Sequence, residues 1–280
     1  MAIGLYEDFA ARFINGDLPS WFVVAWTSAR LVALRKTPKP GCELHPPVPR
    51  PITIGECALT AITTAVHRDF LPAFGAHLAP EQLAVGVKGG AGILVHGMRL
   101  RMQRNPQHVF LKLDCTAAFP TVWRSTVLER LQEVPGLDGY AAFAHARLSV
   151  GRRVHAGHGM QRLFAGNGEG AGRLADADEG IGQGQADSPA LFCIAIHPEV
   201  KAFSAALHGD EGEAAFSMDD GFACAPAATV FPAAVKFVRD LAAATGCVIN
   251  GIVCYAGVQP PELPTPRRGR AGARHSGHAS

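Results

Sequence analysis

The sequence of 280 residues predicts an α+β fold, in which helices back an antiparallel sheet. Two observations support this fold class. The segment HVFLKLD (108–114) alternates apolar and polar residues, which is typical of a half-buried strand that ends at Asp114. Two short apolar stretches, 213–218 and 221–226, flank a pair of aspartates, which indicates a hairpin with Asp219 at its turn.

The other elements follow from periodicity and from the residues that begin or end a helix. We predict helices over residues 3–14, 55–70, 90–104, 121–134, 188–207 and 228–245, and strands over 29–36 and 247–254. Asp187-Ser188-Pro189 should begin one helix, with Asp187 as its capping side chain. Gly246 should end another. Residues 151–180 are rich in glycine, and we expect a loop with a weak hairpin there.

The composition excludes several classes of protein. Apolar residues form 48% of the chain, enough for a sizeable core. We expect no membrane contact, because charged residues interrupt each apolar stretch before it reaches about 18 residues. No basic segment precedes an apolar one near the N-terminus, so we expect no secretory signal. The seven cysteines include no CxxC pair, which argues against a zinc site and favours an intracellular protein of the cytoplasm or nucleus.

The net charge of +2 depends on the last residues of the chain. Four arginines and no acids follow residue 266, so that residues 1–266 carry 22 basic and 24 acidic side chains. Net charge therefore does not mark the body of the protein as a nucleic-acid binder. Basic side chains cluster locally in residues 30–50 and 99–104, although such clusters are commonly solvated surface. We expect residues 257–280 to be a disordered basic tail.

Three carboxylates are candidates for a metal site. If the strand that ends at Asp114 lies beside the hairpin, its carboxylate meets those of Asp219 and Asp220 at one edge of the sheet. Carboxylates this close repel one another unless a cation or a proton neutralises them. Mg²⁺ prefers such oxygen ligands. Two such ions about 3.5–4 Å apart can promote in-line phosphoryl transfer. The alternative is a solvated hairpin tip without a ligand.

Five blocks of sequence, in order, carry a resemblance to a known family. They are RPITIGE (50–56), FLKLDCTAAFPTVWR (110–124), EGIGQGQADSPALF (179–192), FSMDDG (216–221) and TGCVIN (245–250). Together they resemble the reverse transcriptase domain of retrotransposons that lack long terminal repeats. The resemblance implies a right-hand polymerase palm with a mostly helical fingers region. It places fingers and N-terminal helices in residues 1–107 and the palm in 108–256, with 151–180 as a glycine-rich insertion.

The resemblance also implies an activity. The expected function is template-directed DNA synthesis by an RNA-directed DNA polymerase, a nucleotidyltransferase that uses Mg²⁺ or Mn²⁺. The expected partners are an RNA or DNA template-primer and deoxynucleoside triphosphates. Asp114 and Asp219 would hold both ions, Asp220 would assist them, and the backbone carbonyl of Cys115 would complete the coordination shell.

The same resemblance implies the residues that bind the nucleotide. Phe119 would lie beneath the incoming sugar and exclude a 2′-hydroxyl, although packing in the core is an equally good reading of this ring. Gln183 and Gly184 would line the pocket, where glycine permits close backbone approach. Lys36 and Arg50 would meet the triphosphate, with Lys39 as an alternative to Lys36.

Two departures from the family pattern bear on activity. The family has a lysine three residues after the position of Asn250, where this chain has Val253. Loss of a general acid typically lowers a rate by about 10²- to 10⁴-fold, so we expect impaired activity. The resemblance also stops near residue 254 without a thumb, as in a truncated or decayed copy. The main alternative is thus an inactive polymerase fold that only binds nucleic acid or protein. A dinucleotide-binding enzyme is a weaker alternative, suggested by GNGEGAG (166–172) and GIGQG (180–184).

Overall fold

A computed structural model describes the backbone of residues 2–34, 50–149, 161–165, 172–177, 179–209 and 211–256. Lys36, Lys39, most of the glycine-rich insertion and the predicted basic tail lie outside these ranges.

The described chain forms helices and strands in mixed order. The helices are α1 (Ala2–Ile14), α2 (Ser20–Trp26), α3 (Cys57–Leu78), α4 (Gly90–Arg104), α5 (Ala118–Thr121), α6 (Arg124–Gln132), α7 (Asp138–Leu148), α8 (Ser188–His208) and α9 (Ala227–Thr245). The strands are β1 (Ala29–Leu34), β2 (Arg50–Ile54), β3 (Val109–Thr116), β4 (Gln161–Ala165), β5 (Gly172–Ala177), β6 (Glu213–Ser217), β7 (Asp220–Ala225) and β8 (Val248–Ala256).

One four-stranded sheet, which we call the palm sheet, has the order β6-β7-β3-β8, and all its pairs are antiparallel. Its central strand β3 alternates as predicted, with Leu111 and Leu113 buried and Lys112 and Asp114 on the opposite face. Helices α8 and α9 pack on its buried face. The strand does not end at Asp114 as predicted, because a bulge after this residue lets the pairing with β8 continue to Thr116.

A second sheet has the order β2-β1-β4-β5, so that it joins strands from both sides of the predicted boundary between fingers and palm. Its β1–β4 pair is parallel, whereas the other two pairs are antiparallel. The β4–β5 pair is the weak hairpin expected in the glycine-rich region. The sequence did not predict β2, α2 or α7, although α7 buries Tyr140, Phe143 and Ala144 at helical spacing.

Helix α8 is the central helix of the core. Among the described helices it alone is long and apolar enough to cross a membrane, which the sequence pattern did not indicate. However, 67% of its most apolar window is buried inside the fold. It packs against α6, α9 and β6. Its composition is therefore that of a core helix.

His197 on α8 makes the stability of the fold depend on pH. Its side chain is 2% exposed. Burial lowers the pKa of His197 to about 4, and the charges of His77 and Lys201 act in the same direction. The folded protein therefore holds a neutral imidazole down to a pH at which the unfolded chain has already bound a proton.

We expect the contribution of His197 to stability to be present above pH 6.5 and to be lost as the pH falls toward 4. At pH 5 the loss is about 2 kcal/mol. Urea unfolding at pH 7 and pH 5, on the wild type and on His197→Leu, measures it. The variant lacks the buried imidazole, so it should lose less stability than the wild type between pH 7 and pH 5. An equal loss in both would contradict the assignment to His197.

Candidate active site

The palm sheet brings the predicted carboxylates together. In the antiparallel pairing of β3 with β7, Asp114 lies directly opposite Asp220. Side chains of such a pair have Cβ atoms about 4.5–5.5 Å apart on one face of a sheet. Asp219 directly precedes Asp220 and lies in the turn that joins β6 to β7. All three carboxylates therefore lie at one end of the palm sheet.

The turn that carries Asp219 is tight. Ser217 pairs with Asp220, so that only Met218 and Asp219 connect the two strands. Met218 has a φ of +56°, in the left-handed region that a non-glycine residue rarely adopts. A backbone of this kind persists only where its surroundings hold it. The direction of the Asp219 side chain therefore depends on what holds Met218.

The pKa of Asp219 reflects the nearby charges of Asp114 and Asp220. Burial is the largest cause that raises the pKa of Asp219, and the charges of Asp220 and Asp114 raise it further. A hydrogen bond to its own backbone and the charge of Arg50 act in the opposite direction. A divalent cation at this end of the sheet would relieve the repulsion among the carboxylates.

Lys112 is the nearest cation that the described structure places on Asp220. Its Nζ atom lies 3.3 Å from Oδ1 of Asp220, and both side chains are partly exposed. An exposed pair of this kind contributes about 0–1 kcal/mol. This contact therefore leaves Asp220 able to exchange its partner for a metal ion.

The donor set fits an open magnesium site. In the described part of the chain, no group of three or more His, Cys, Asp or Glu side chains is arranged to hold a metal ion. Mg²⁺ does not need one, because it commonly takes one or two carboxylates together with water and substrate phosphates. The Cys115 side chain lies on the buried face of β3, opposite to the face of Asp114, and burial raises the pKa of its thiol. Cys115 can therefore offer its backbone carbonyl, as the sequence predicts, and not its sulfur.

The loop before α8 meets strand β2. The backbone N–H of Thr53 donates to the carbonyl of Gln183, at 2.7 Å. A Cβ atom on Gly184 would lie 3.1 Å from Cγ2 of Ile52. Gln183 and Gly184 are thus next to the strand that begins at Arg50, whose charge acts on Asp219. The structure therefore places Gln183 and Gly184 beside β2 and links Arg50 of that strand to Asp219, and the role of all three residues stays a prediction.

Phe119 lies at the edge of the core. Its half-buried ring is 5.3 Å, between centroids, from the ring of Phe192. Its carbonyl accepts a hydrogen bond of 2.8 Å from the N–H of Ile181. The ring contacts match the packing alternative, while its partial exposure leaves one edge open. A role beneath the sugar stays a prediction.

The predicted cap of α8 was wrong in one respect. The helix begins at Ser188 as expected, but Asp187 makes no capping hydrogen bond. Its carboxylate, 0% exposed, instead forms an ion pair with Arg147 and accepts a hydrogen bond of 2.7 Å from the hydroxyl of Tyr140. Arg147 also donates to Oε1 of Gln185, at 2.9 Å. Burial beside Arg147 makes Asp187 an ion-pair partner, and this partner was not predicted because α7, which carries Arg147, was not predicted.

Gly180 gives a test of this loop. Its φ is +76°, and a Cβ atom there would lie 2.3 Å from the carbonyl oxygen of Pro120, a backbone atom that cannot turn away. We expect Gly180→Ala to destabilise the protein by about 1–3 kcal/mol. Urea unfolding measures the change. Gly92→Ala is the matched control, because a Cβ atom there meets nothing within 4 Å in α4 and should stabilise by up to about 1 kcal/mol. Equal stabilities for the two variants would contradict this packing.

Comparison with known proteins rests on the fold, since the sequence matches no family model and no curated protein. Apo telomerase from Candida tropicalis, truncated from its C-terminal domain, aligns with a TM-score of 0.56 and 12% identity, over 82% of this chain and 50% of that one. The chain has a reverse-transcriptase-like fold. Telomerase from Candida albicans, solved in complex with a TWJ fragment of telomeric RNA, aligns with a TM-score of 0.55 and 10% identity, over 91% of this chain and 47% of that one.

The reverse-transcriptase-like fold confirms the predicted class, an antiparallel palm backed by helices with a mostly helical fingers region. A third structure, telomerase from Candida tropicalis with the TWJ fragment, aligns at a TM-score of 0.56 and 11% identity, over 82% of this chain and 41% of that one. The chain thus spans about half the length of these telomerases or less. At such low identity the likeness is one of fold.

Proposed function

We propose that this chain carries out template-directed DNA synthesis by metal-dependent nucleotidyl transfer. The observation that carries the proposal is the cross-strand pairing of Asp114 with Asp220, next to Asp219, within a reverse-transcriptase-like fold. The resemblance of the five sequence blocks extends the proposal to a domain of a retrotransposon without long terminal repeats. Both the activity and the origin go beyond the fold likeness.

In this proposal the carboxylates bind and orient the metal ions. Asp114 and Asp219 would hold Mg²⁺ or Mn²⁺, with Asp220 beside them and the carbonyl of Cys115 as a further ligand. When bound, the ions supply Lewis-acid stabilisation to the attacking and leaving oxygens of an in-line displacement. The side chains keep these charges at one end of the sheet, where the substrate phosphates would complete the shell.

The fingers residues would bind the incoming nucleotide. Arg50 lies close enough for its charge to act on Asp219, and it would offset the charge of the triphosphate. Gly184 permits close approach of a ligand to the backbone beside β2. Lys36 would add a second cation, and Phe119 would exclude a 2′-hydroxyl. These contacts favour deoxynucleoside triphosphates as substrates.

The proposed template-primer is RNA or DNA. Two of the similar telomerases were solved with a fragment of telomeric RNA, which is a property of those proteins. For this chain, RNA binding is part of the proposal. It fits the edge of the palm sheet at β8, where the exposed ring of Tyr255 lies 6.0 Å, between centroids, from the half-buried ring of Phe110 on the adjacent strand.

The second candidate function is an inactive polymerase fold that binds nucleic acid without extending it. One observation favours it. Val253 is 47% exposed and lies directly opposite Lys112 on the adjacent strand, so that an apolar side chain stands where the family has a lysine. Without this lysine the leaving pyrophosphate lacks its expected proton donor, and a loss of about 10²- to 10⁴-fold in rate would leave a fold that binds nucleic acid with little or no extension.

Primer extension decides between these functions. The purified chain, an RNA template with an annealed DNA primer, deoxynucleotides and Mg²⁺ should give extended primer, and chelation of the metal should stop it. Binding of the same template-primer, measured by fluorescence anisotropy, is the parallel readout. Extension supports the polymerase, whereas binding without any extension in Mg²⁺ or Mn²⁺ supports the binding module.

A further inference from the structure

Gln82 lies in the connection between α3 and α4, far along the chain from the aspartate hairpin, and is 0% exposed. Its Nε2 atom donates a hydrogen bond of 2.9 Å to the carbonyl of Met218. Its Oε1 atom accepts one of 3.0 Å from the N–H of Met218. One side chain therefore binds both backbone polar groups of the residue next to Asp219.

The neighbours of Gln82 hold the preceding residues of the hairpin. The N–H of Phe216 donates to the carbonyl of Glu81 at 2.7 Å, and the N–H of Leu83 donates to the carbonyl of Phe216 at 2.8 Å. These bonds form a short parallel bridge beside β6. The segment is also covered from α4, because a Cβ atom on Gly90 would lie 1.7 Å from the carbonyl oxygen of Leu83. Residues 81–83 are thus fixed between a helix and the edge of the palm sheet.

The chemistry at Met218 requires a side chain with both a donor and an acceptor. Met218 has its φ in the left-handed region, where a non-glycine backbone is strained. The amide of glutamine offers an N–H donor and a carbonyl acceptor at its tip. The two bonds favour one conformation of the turn and thereby one direction for the Asp219 side chain.

We propose that Gln82 is a positioning residue that sets the metal-binding geometry of Asp219 through the backbone of Met218. The inference rests on the proposed function, because it assumes that Asp219 binds the ion. Gln82 touches neither metal nor substrate. Its effect is to hold the turn so that Asp219 and Asp114 reach one ion together.

The test measures Mn²⁺ binding to the whole chain by the electron paramagnetic resonance signal of the free ion. Gln82→Met keeps the length of the side chain and removes both hydrogen bonds. We expect it to weaken Mn²⁺ binding by about 10- to 100-fold, as loss of a group that orients a ligand does. Thr27→Val is the matched control, since it removes a buried hydrogen bond of 2.8 Å from the Thr27 hydroxyl to the carbonyl of Val23, at the C-terminal end of α2. It should bind Mn²⁺ as the wild type does.

Gln82→Glu separates positioning from folding within one protein. A carboxylate can accept from the Met218 N–H but cannot donate to its carbonyl, whereas the protonated acid can do both. Burial raises the pKa of such a carboxyl. We expect the Q82E variant to bind Mn²⁺ weakly at pH 8 and to regain at least half of the lost affinity, on a logarithmic scale, by pH 6. Wild-type affinity should not rise over this interval.

Asp219→Asn distinguishes failure of this inference from failure of the proposed function. If this variant binds Mn²⁺ as the wild type does, the metal site itself is wrong. If Asp219→Asn abolishes binding while Q82M binds normally, or while Q82E shows no recovery at low pH, the positioning role of Gln82 is overturned and the proposed function stands.

Discussion

Asp219→Asn is expected to lower the rate of nucleotide incorporation by about a thousandfold, with little change in template-primer binding. A metal that stabilises the transition state contributes several kcal/mol, and about 4 kcal/mol corresponds to this factor. The substitution keeps the size of the side chain and removes the charge that the ion requires. Burial and the charges of Asp220 and Asp114 raise the pKa of Asp219, so its carboxylate is unfavourable in the folded protein. Removing this charge relieves the repulsion, and the fold should be no less stable.

Single-turnover primer extension measures this rate, and thermal unfolding checks the fold. Asp240→Asn is the matched control, because Asp240 lies on the surface of α9 in an ion pair with Lys236. It should incorporate nucleotides at the wild-type rate. Equal rates for Asp219→Asn and the wild type would remove Asp219 from the mechanism.

Arg147→Met is expected to destabilise the fold even more than Gly180→Ala does. It leaves Asp187, which is 0% exposed, as a buried charge without its cation. Breaking a buried ion pair in this way costs about 3–5 kcal/mol. The hydrogen bond from Tyr140 remains but cannot replace a full charge. The loop before α8, which Arg147 also binds through Gln185, should loosen as well.

Urea unfolding of the single and double variants tests this ion pair. Adding Asp187→Asn to Arg147→Met removes the orphaned charge and should recover more than half of the lost free energy of unfolding. Arg130→Met is a control at a more exposed pair, that of Arg130 with Glu199, and should cost less. If the double variant is less stable than Arg147→Met alone, the unpaired charge is not the cause.

Local patterns predicted the palm. The alternation in 108–114 and the apolar stretches around Asp219 indicated three of its four strands, and 247–254 indicated the last, because side chains of a half-buried strand must alternate. Helix α4 matches its predicted range, and Gly246 ends α9 with a φ of +76°. The resemblance of the five blocks predicted a polymerase palm with helical fingers, and the fold likeness confirms that fold class.

Contacts between residues that are far apart in the sequence could not be predicted from local sequence patterns. Gln82 and Met218 are 136 residues apart, and nothing beside Gln82 in sequence marks it as the partner of a turn. Asp187 has the residue type of a helix cap, and only burial beside Arg147 makes it an ion-pair partner. The role of a buried charge or amide depends on the groups that surround it in the fold. A local sequence pattern does not specify those groups.

The central claim is that acids from two separate segments share one cation, and metal-directed cleavage tests it most directly. Fe²⁺ in place of Mg²⁺ reduces added hydrogen peroxide to hydroxide and a hydroxyl radical, which cuts the backbone near the ion, and ascorbate returns the Fe³⁺ to Fe²⁺. A shared site predicts cuts close to both Asp114 and Asp219, suppressed by excess Mg²⁺ and lost together in either Asp→Asn variant. Cuts at only one of the two segments, or at neither, would contradict a shared metal site.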